Sequence, residues 1–518
     1  MPSPRRQLYL LRLSGEITTK APRTRARFTT RLIQNLEDGL RSAGIEYHLD
    51  REWSRIYVEA EERGGAGGPG LPGGPAAAGE VIRRTFGVHS HSPVERRPWR
   101  ELADVVAAGL EIFRPEVAGR TFAVRARRSG DRSKVPLRSK QVEIELGAAL
   151  LPHARKVDLG RPEVTASVEV HPREAYFFRD KVLGPAGLPL GTEDRALSLV
   201  SGGFDSAVAS WMMLRRGVGL DYAFFNLGGA AHELGVLRVM KVIASDWSHG
   251  DRPRLFCVDF RPVVADLQAR VTPRYWQVVL KRLMLRAAQN LARELRLGAL
   301  VTGEAIGQVS SQTPQNLAVI SRPIELPILR PLVAFNKEEI IDRAREIGTY
   351  ELSSAVDESC AILPKKPATR ASFRTVDDEE GELDPGLLAR AVAERRELDL
   401  RELDPAELGA EALAVEEVPA GARLVDLRTR AAFDAWHPPG AEHLDFCQAL
   451  RRRGAFDREA TWVFYCEVGL KSAHLAEVMQ AEGFRAYHLP GGVRDLLRRE
   501  AAADPLASQL LAPALLSE

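Results

Sequence analysis

Two short stretches carry side chains whose kinds and spacing can do chemistry. Ser201 to Ser206 read S-G-G-F-D-S, between the apolar run 196–200 and a helical run 207–216 that Gly217 would end. That order predicts strand, tight turn and helix. Gly202 and Gly203 let the backbone approach a ligand and turn its N–H groups toward phosphate oxygens, while Ser201 and Ser206 add hydroxyl donors. The helix start adds partial positive charge, so the loop suits an anion. It is neither G-x-x-x-x-G-K-[ST] nor G-x-G-x-x-G. The second stretch is W-V-F-Y at 462–465, a buried-strand pattern that delivers Cys466 into C-E-V-G-L-K-S, with a helix from about Ser472. A cysteine at a strand end, ringed by loop N–H groups and facing a helix start, is expected to have a lowered thiol pKa and to act as a nucleophile. A phosphatase loop of this shape needs an arginine where Ser472 stands. Cys257, within an apolar strand, and Cys447 read as small buried hydrophobes. Cys360 lies in surroundings that are not obviously apolar.

The elements that must position these residues belong to several domains. A chain of 518 residues is too long for one core, and three or four domains are expected. Hydrophobic content of 45% and charged content of 27% are those of an ordinary globular protein. No apolar run approaches the roughly 20 residues of a membrane span, and the basic, charge-broken start does not read as a signal peptide. A cytoplasmic protein without a membrane partner is expected. Four cysteines without C-x-x-C spacing argue against a structural disulfide or metal framework, so any working cysteine is reactive. The net charge of +2 hides an uneven spread. Eight basic residues and one acid, Asp131, lie between Arg120 and Lys140, and Arg23, Arg25, Arg27 and Arg31 form a second basic cluster. Residues 377–384 are acidic. A basic front half fits a polyanion partner.

Strands are expected at 7–13 and 56–60, with a helix at about 24–43 between them. Residues 64–79, almost entirely Gly, Pro and Ala, read as a flexible insertion, with structure resuming at Val81. Helices at 99–113 and 139–151 and strands at 121–128 and 166–170 follow, the first of these strands with arginines on one face. Beyond the anion loop, strands at 223–226, 255–260 and 299–303 and a long helix at 275–295 make a doubly wound parallel sheet, whose ligand belongs at the carboxyl ends of the strands. A helix is expected at 337–347. Residues 375–417 read as an acidic linker, and a last α/β unit begins at Arg423.

The S-G-G-F-D-S loop resembles the pyrophosphate loop of the PP-loop ATP pyrophosphatases. F-A-V-R-A-R-R from Phe122, K-V-P-L-R-S, K-V-D-L-G-R-P and G-P-A-G-L-P-L-G resemble a THUMP RNA-binding domain. G-E-I-T-T-K from Gly15 resembles the start of the ferredoxin-like domain that precedes it. L-V-D-L-R-T, H-P-P-G-A, the Cys466 loop and L-P-G-G-V resemble a rhodanese domain. In this order the modules resemble the 4-thiouridine synthetases that carry a rhodanese domain. The fold class implied is multidomain α/β. A ferredoxin-like α+β domain spans 1–80, a THUMP α/β domain 81–185, a doubly wound PP-loop domain 186–374, the linker 375–417 and a rhodanese α/β domain 418–505.

The resemblance implies an ATP- and Mg²⁺-dependent enzyme that adenylates O4 of the uridine at position 8 of tRNA and replaces that oxygen with sulfur. Leu199, Val200, Ser201, Gly202, Gly203, Asp205, Ser206, Phe224, Phe225, Lys281, Gly303 and Gln312 would contact ATP, with Asp205 and Lys337 serving adenylation. On its own Lys281 reads as an exposed helix lysine. Arg125, Arg127, Arg128, Lys134 and Arg138 would meet RNA, and no protein metal site is implied. Cys466 would carry the persulfide and Cys360 would form a disulfide with it, to be opened by a reductant. A cysteine desulfurase would supply sulfur, and the thiamine sulfur-carrier protein is a further partner. The competing reading is a sulfur carrier without adenylating activity, which would have no use for the anion loop.

Overall fold

The computed structural model describes residues 5–52, 55–62, 77–129, 135–356, 366–403, 413–467, 469–493 and 495–497. Cys360, Lys134, most of the Gly/Pro insertion and the end of the chain lie outside the described residues. The chain divides into two compact units, one formed mainly by residues 1–193 and the other by most of the remainder.

In the first unit the helix Pro22–Ser42 begins with proline in its first turn and buries Phe28, Leu32, Leu36 and Leu40. This 3.6-residue spacing lays one apolar stripe against the strands Arg5–Leu13 and Arg55–Glu62. The long strand Val88–Pro98 pairs through its first half with Arg5–Leu13 and through its last residues with Glu174–Phe178. One nine-stranded sheet therefore runs through both expected N-terminal domains. The helices Leu102–Val117 and Ser139–Leu150 pack on its second half around Phe113, Phe122, Val142 and Leu146. Glu169 lies buried between Arg12 and Arg55, at 3.1 Å and 3.2 Å, and ties the two halves of the sheet together.

Three expectations change here. The strand Tyr47–Arg51 appears at the sheet edge, where its charged sequence hides the pattern. The helix Ala77–Arg83 begins inside the segment read as insertion and crosses the boundary placed at residue 80. It buries Ala78, Gly79, Val81 and Ile82. Arg31, read as part of a basic surface cluster, donates to the carbonyls of Leu190 at 2.8 Å and Gly250 at 2.7 Å, so much of its guanidinium serves the fold.

The second unit holds a six-stranded sheet in the order Ile328–Leu329, Leu300–Val301, Glu193–Val200, Val218–Asn226, Arg254–Asp259, Arg396–Asp399. The strands after Glu193–Val200 are laid first to one side of it and then to the other. The order reverses between Glu193–Val200 and Leu300–Val301, the topological switch point where an α/β sheet opens a crevice at its carboxyl edge. The edge strand Arg396–Asp399 is antiparallel to Arg254–Asp259, and the helices Phe373–Gly381 and Leu387–Ala393 bury Val376, Ala391 and Val392 in the core. Much of the segment read as a linker is thus folded onto the sheet. A separate four-stranded parallel sheet has the order Glu442–His443, Arg423–Asp426, Thr461–Tyr465, Arg485–His488. Cys257 is buried, and burial pushes its thiol up to about 12. Cys447 is exposed, against expectation, because it lies on the outer side of the first turn of the helix Phe446–Arg452.

Candidate functional site

The strand Glu193–Val200 ends at Ser201, and the helix Phe204–Arg215 starts three residues later. Gly202 makes this possible. Its φ is +81°, and a Cβ there would stand 3.2 Å from Val236 Cα and from Val356 Cγ1. The Ser206 hydroxyl accepts from Ser201 N–H and donates to the Gly203 carbonyl, both at 3.2 Å, while the Ser201 hydroxyl accepts from Gly203 N–H at 3.4 Å. The loop is held by its own side chains.

Gly303, beyond the neighbouring strand Leu300–Val301, closes the other wall. A Cβ there would fall 2.7 Å from Asp205 C and 2.9 Å from Ser206 N, a separation only glycine permits. Lys337 Nζ reaches Asp205 Oδ1 at 3.0 Å, and Gln308 Nε2 donates to Asp205 Oδ2 at 2.9 Å. Lys337 opens the helix Lys337–Glu346, whose entry is fixed by a reciprocal cap between Asn336 and Glu339. The structure thus gathers Ser201, Gly202, Gly203, Asp205, Ser206, Gly303 and Lys337 at the switch point.

The remaining nucleotide candidates sit differently. Lys281 pairs with Glu304 at 3.3 Å, next to Gly303, and Glu304 also meets Arg330 at 2.8 Å. Burial alone would push the Glu304 carboxyl up, yet Lys281 and Arg330 outweigh it and hold it below the usual range. Gln312 is buried, and its Oε1 has no hydrogen-bond partner among the described residues. Such an acceptor in a polar crevice fits a donor from a ligand. Leu199 and Val200 pack in and beside the sheet, Phe224 meets the His232 ring edge-on at 5.0 Å, and Phe225 lies on Phe260 at 4.8 Å. These two rings belong to the core. Gln308 and Glu304 were not singled out from the sequence, although both lie in the T-G-E-A-I-G-Q segment that follows the strand.

Cys466 ends the strand Thr461–Tyr465, buried, with its Sγ 3.7 Å from Ser472 Oγ. Gly469 has φ +82°, and a Cβ there would lie 1.9 Å from the Pro490 carbonyl. The helix Leu470–Ala481 begins immediately and docks against the six-stranded sheet's helices. Leu470 packs with Ala207, Leu234, Val239, Ala355 and Val356. Glu477 accepts from the N–H groups of Ala230 and Ala231, both at 2.9 Å, at the start of the helix Gly229–Trp247. A carboxylate there complements the helix dipole.

In the first unit Arg125 and Arg127 are exposed on one face of the strand Thr121–Arg128. Arg128 points to the other face and donates to the Val135 carbonyl at 3.4 Å, because side chains alternate along a strand. Arg138 is exposed at the start of the helix Ser139–Leu150.

Family models match the chain as a ThiI ferredoxin-like domain over 8–92, a THUMP domain over 100–180, a thiamine biosynthesis protein (ThiI) domain over 191–384 and a rhodanese-like domain over 410–498. A tRNA sulfurtransferase of Pyrobaculum aerophilum is 34% identical over 96% of this chain and 97% of its own. One of Serratia proteamaculans is 34% identical over 92% and 98%. The crystal structure of a 4-thiouridine synthetase in complex with RNA and bound ATP superposes with TM-score 0.64 at 28% identity, covering 76% of this chain and 99% of that one. With relatives this similar along almost its whole length, the chain belongs to the tRNA sulfurtransferase family.

Proposed function

We propose that this chain spends ATP to thiolate tRNA, converting the uridine at position 8 to 4-thiouridine. The observation that carries the reading is the switch point, where Gly202 and Gly303 let the 201–206 loop pack closely against its neighbours and Asp205 and Lys337 meet beside it. The 4-thiouridine synthetase of similar fold holds RNA and ATP together.

Oxygen is a poor leaving group at C4 of uridine, so it first attacks the α-phosphate and pyrophosphate departs. The loop N–H groups, the Ser201 and Ser206 hydroxyls and Lys337 stabilise the charge that develops. Mg²⁺ would neutralise the phosphates, and among the described residues Asp205 is the loop carboxylate suited to it. The terminal sulfur of a persulfide on Cys466 then bonds to C4 and AMP leaves. Cys360 attacks the Cys466 sulfur to free that terminal atom, and the resulting disulfide takes two electrons from an external reductant. Cys360 lies outside the described residues, four positions after Val356 in the sequence. Val356 in turn packs against Leu470, four positions beyond Cys466. A cysteine desulfurase supplies the sulfur, and the same persulfide would feed the thiazole of thiamine. Arg125, Arg127 and Arg138, with Lys134, would meet the RNA backbone. The reaction belongs in the cytoplasm, and no described helix is long and apolar enough to cross a membrane.

The test is mass spectrometry of nucleosides from tRNA incubated with the full chain, ATP, Mg²⁺ and a persulfide donor. The wild type should form 4-thiouridine over many turnovers, whereas Cys466→Ala should still consume ATP and make none catalytically. Absence of 4-thiouridine with the wild type, or normal turnover by Cys466→Ala, would overturn the reading.

A further inference from the structure

Glu477 and Leu470 dock the Cys466 domain on the helix Gly229–Trp247, and one more residue of that helix reaches past the seam. Arg238 Nη2 donates to the Pro490 carbonyl at 3.3 Å. That carbonyl is the atom packed against Gly469, and the segment after it closes over the cysteine. Val493 N–H donates to the Cys466 carbonyl at 2.8 Å, and a Cβ on Gly492 would stand 2.2 Å from the same oxygen. A guanidinium from the helix Gly229–Trp247 therefore grips the wall of the Cys466 loop.

We propose that Arg238 is a positioning residue for sulfur delivery, fixing the Cys466 loop in the docked arrangement and presenting positive charge to the sulfur anion carried there. The proposal rests on the reading of Cys466 as the sulfur carrier. The local charges agree with it. Burial pulls the Arg238 guanidinium below its ordinary value, while Cys466 and Asp495 push it back up. His488, in the adjoining strand, is brought down to about 4 by burial first and then by Arg238, so it stays neutral at working pH. Ser472 is neutral. Glu467, pushed up by burial, and Lys471 flank the cysteine, and Glu467 is faced by Arg428, which is itself paired with Asp426. Arg238 is thus a cation that the helix Gly229–Trp247 contributes.

The experiment is the pH profile of iodoacetamide alkylation at Cys466 in the reduced full chain, read by peptide mass spectrometry with exposed Cys447 as internal reference. The midpoint reports the charge environment of the thiolate, and the high-pH plateau reports access. Arg238→Met should raise the midpoint and slow alkylation at pH 7 about three- to tenfold, the size expected of one nearby charge. Arg238→Lys should recover most of that loss, and Cys447 should not change. Glu477→Gln, which weakens docking from a partly exposed position, should move the midpoint the same way by less. An unchanged midpoint in Arg238→Met would overturn the proposal, as would Arg238→Lys behaving like Arg238→Met. If Arg238→Met does not fold, an unchanged midpoint in Glu477→Gln overturns it alone. None of these readouts requires tRNA or ATP, so failure of the thiolation reading would show separately in the nucleoside assay.

Discussion

Gly303 stands against the backbone of Asp205 so closely that a Cβ would sit 2.7 Å from the carbonyl carbon and 2.8 Å from its oxygen. Both neighbours are main chain at a helix start, so neither can swing aside as a side-chain tip could. Gly303→Ala should therefore push the anion loop out of place by a few tenths of an ångström or more. Because phosphoryl chemistry depends on alignment, ATP-dependent turnover should fall at least tenfold, with overpacking costing about 1–3 kcal/mol of stability. Persulfide loading of Cys466 should persist. Steady-state turnover beside labelled-sulfur loading checks this, and a fully active Gly303→Ala would show that the wall is not part of the site.

Asp205 is held from two sides, by Lys337 from a capped helix and by Gln308 from the loop after the strand Leu300–Val301. A carboxylate anchored in this way is suited to organise charge at the crevice mouth. Asp205→Ala should lower adenylation by on the order of 10²-fold and leave persulfidation of Cys466 intact, since the sulfur step uses different atoms. Pyrophosphate release and labelled-sulfur loading measured on one preparation check the division. Loss of both activities would contradict it.

What the sequence disclosed follows from the range of each interaction. The strand, turn and helix around Ser201–Ser206 were legible because apolar strand, glycines and helix start are contiguous, and the position of Gly303 because it follows an apolar strand. The place of Cys466 after a strand was legible for the same reason. The strands Tyr47–Arg51 and Arg396–Asp399 were not, because edge strands carry charge and lose the apolar alternation. Cys447 was misjudged because a lone cysteine gives no sign of which helix face it occupies. Glu477 gave no signal at all, since the N–H groups it caps lie up to 247 residues away. Docking between domains is written in pairs of distant residues, each of them unremarkable by itself.

Glu169 makes a pH prediction for the first unit. Burial pushes its carboxyl up, but Arg55 and Arg12 outweigh burial and the folded value lies below the ordinary 4.5. A carboxyl depressed on folding contributes stability that is present above its unfolded value and is lost as pH falls through the folded one. Glu169→Gln leaves two nearly buried guanidinium groups facing a neutral amide, a loss of about 3–5 kcal/mol at neutral pH. Thermal melts of wild type and variant should differ most at pH 7 and converge as the pH drops well below 4.5. A gap that stays constant down to pH 3 would mean the pair contributes through packing alone.

Arg125 and Arg127 share an exposed face, Arg125 donating once to the Leu159 carbonyl, whereas Arg31 is committed to the carbonyls of both Leu190 and Gly250. The same residue type should then give two separable outcomes. Arg125→Ala with Arg127→Ala should weaken tRNA binding and flatten the salt dependence, by about 0.7–0.9 in the log–log slope for each phosphate contact removed, with a smaller loss of melting temperature than Arg31→Ala, since Arg125 gives up a single carbonyl hydrogen bond. Arg31→Ala should lower the melting temperature and leave the slope as it was, because its hydrogen bonds are internal. Titrations of tRNA at several salt concentrations, paired with melts, read both quantities. If Arg125 and Arg127 can be removed without changing the slope, the RNA path lies on another face of the sheet.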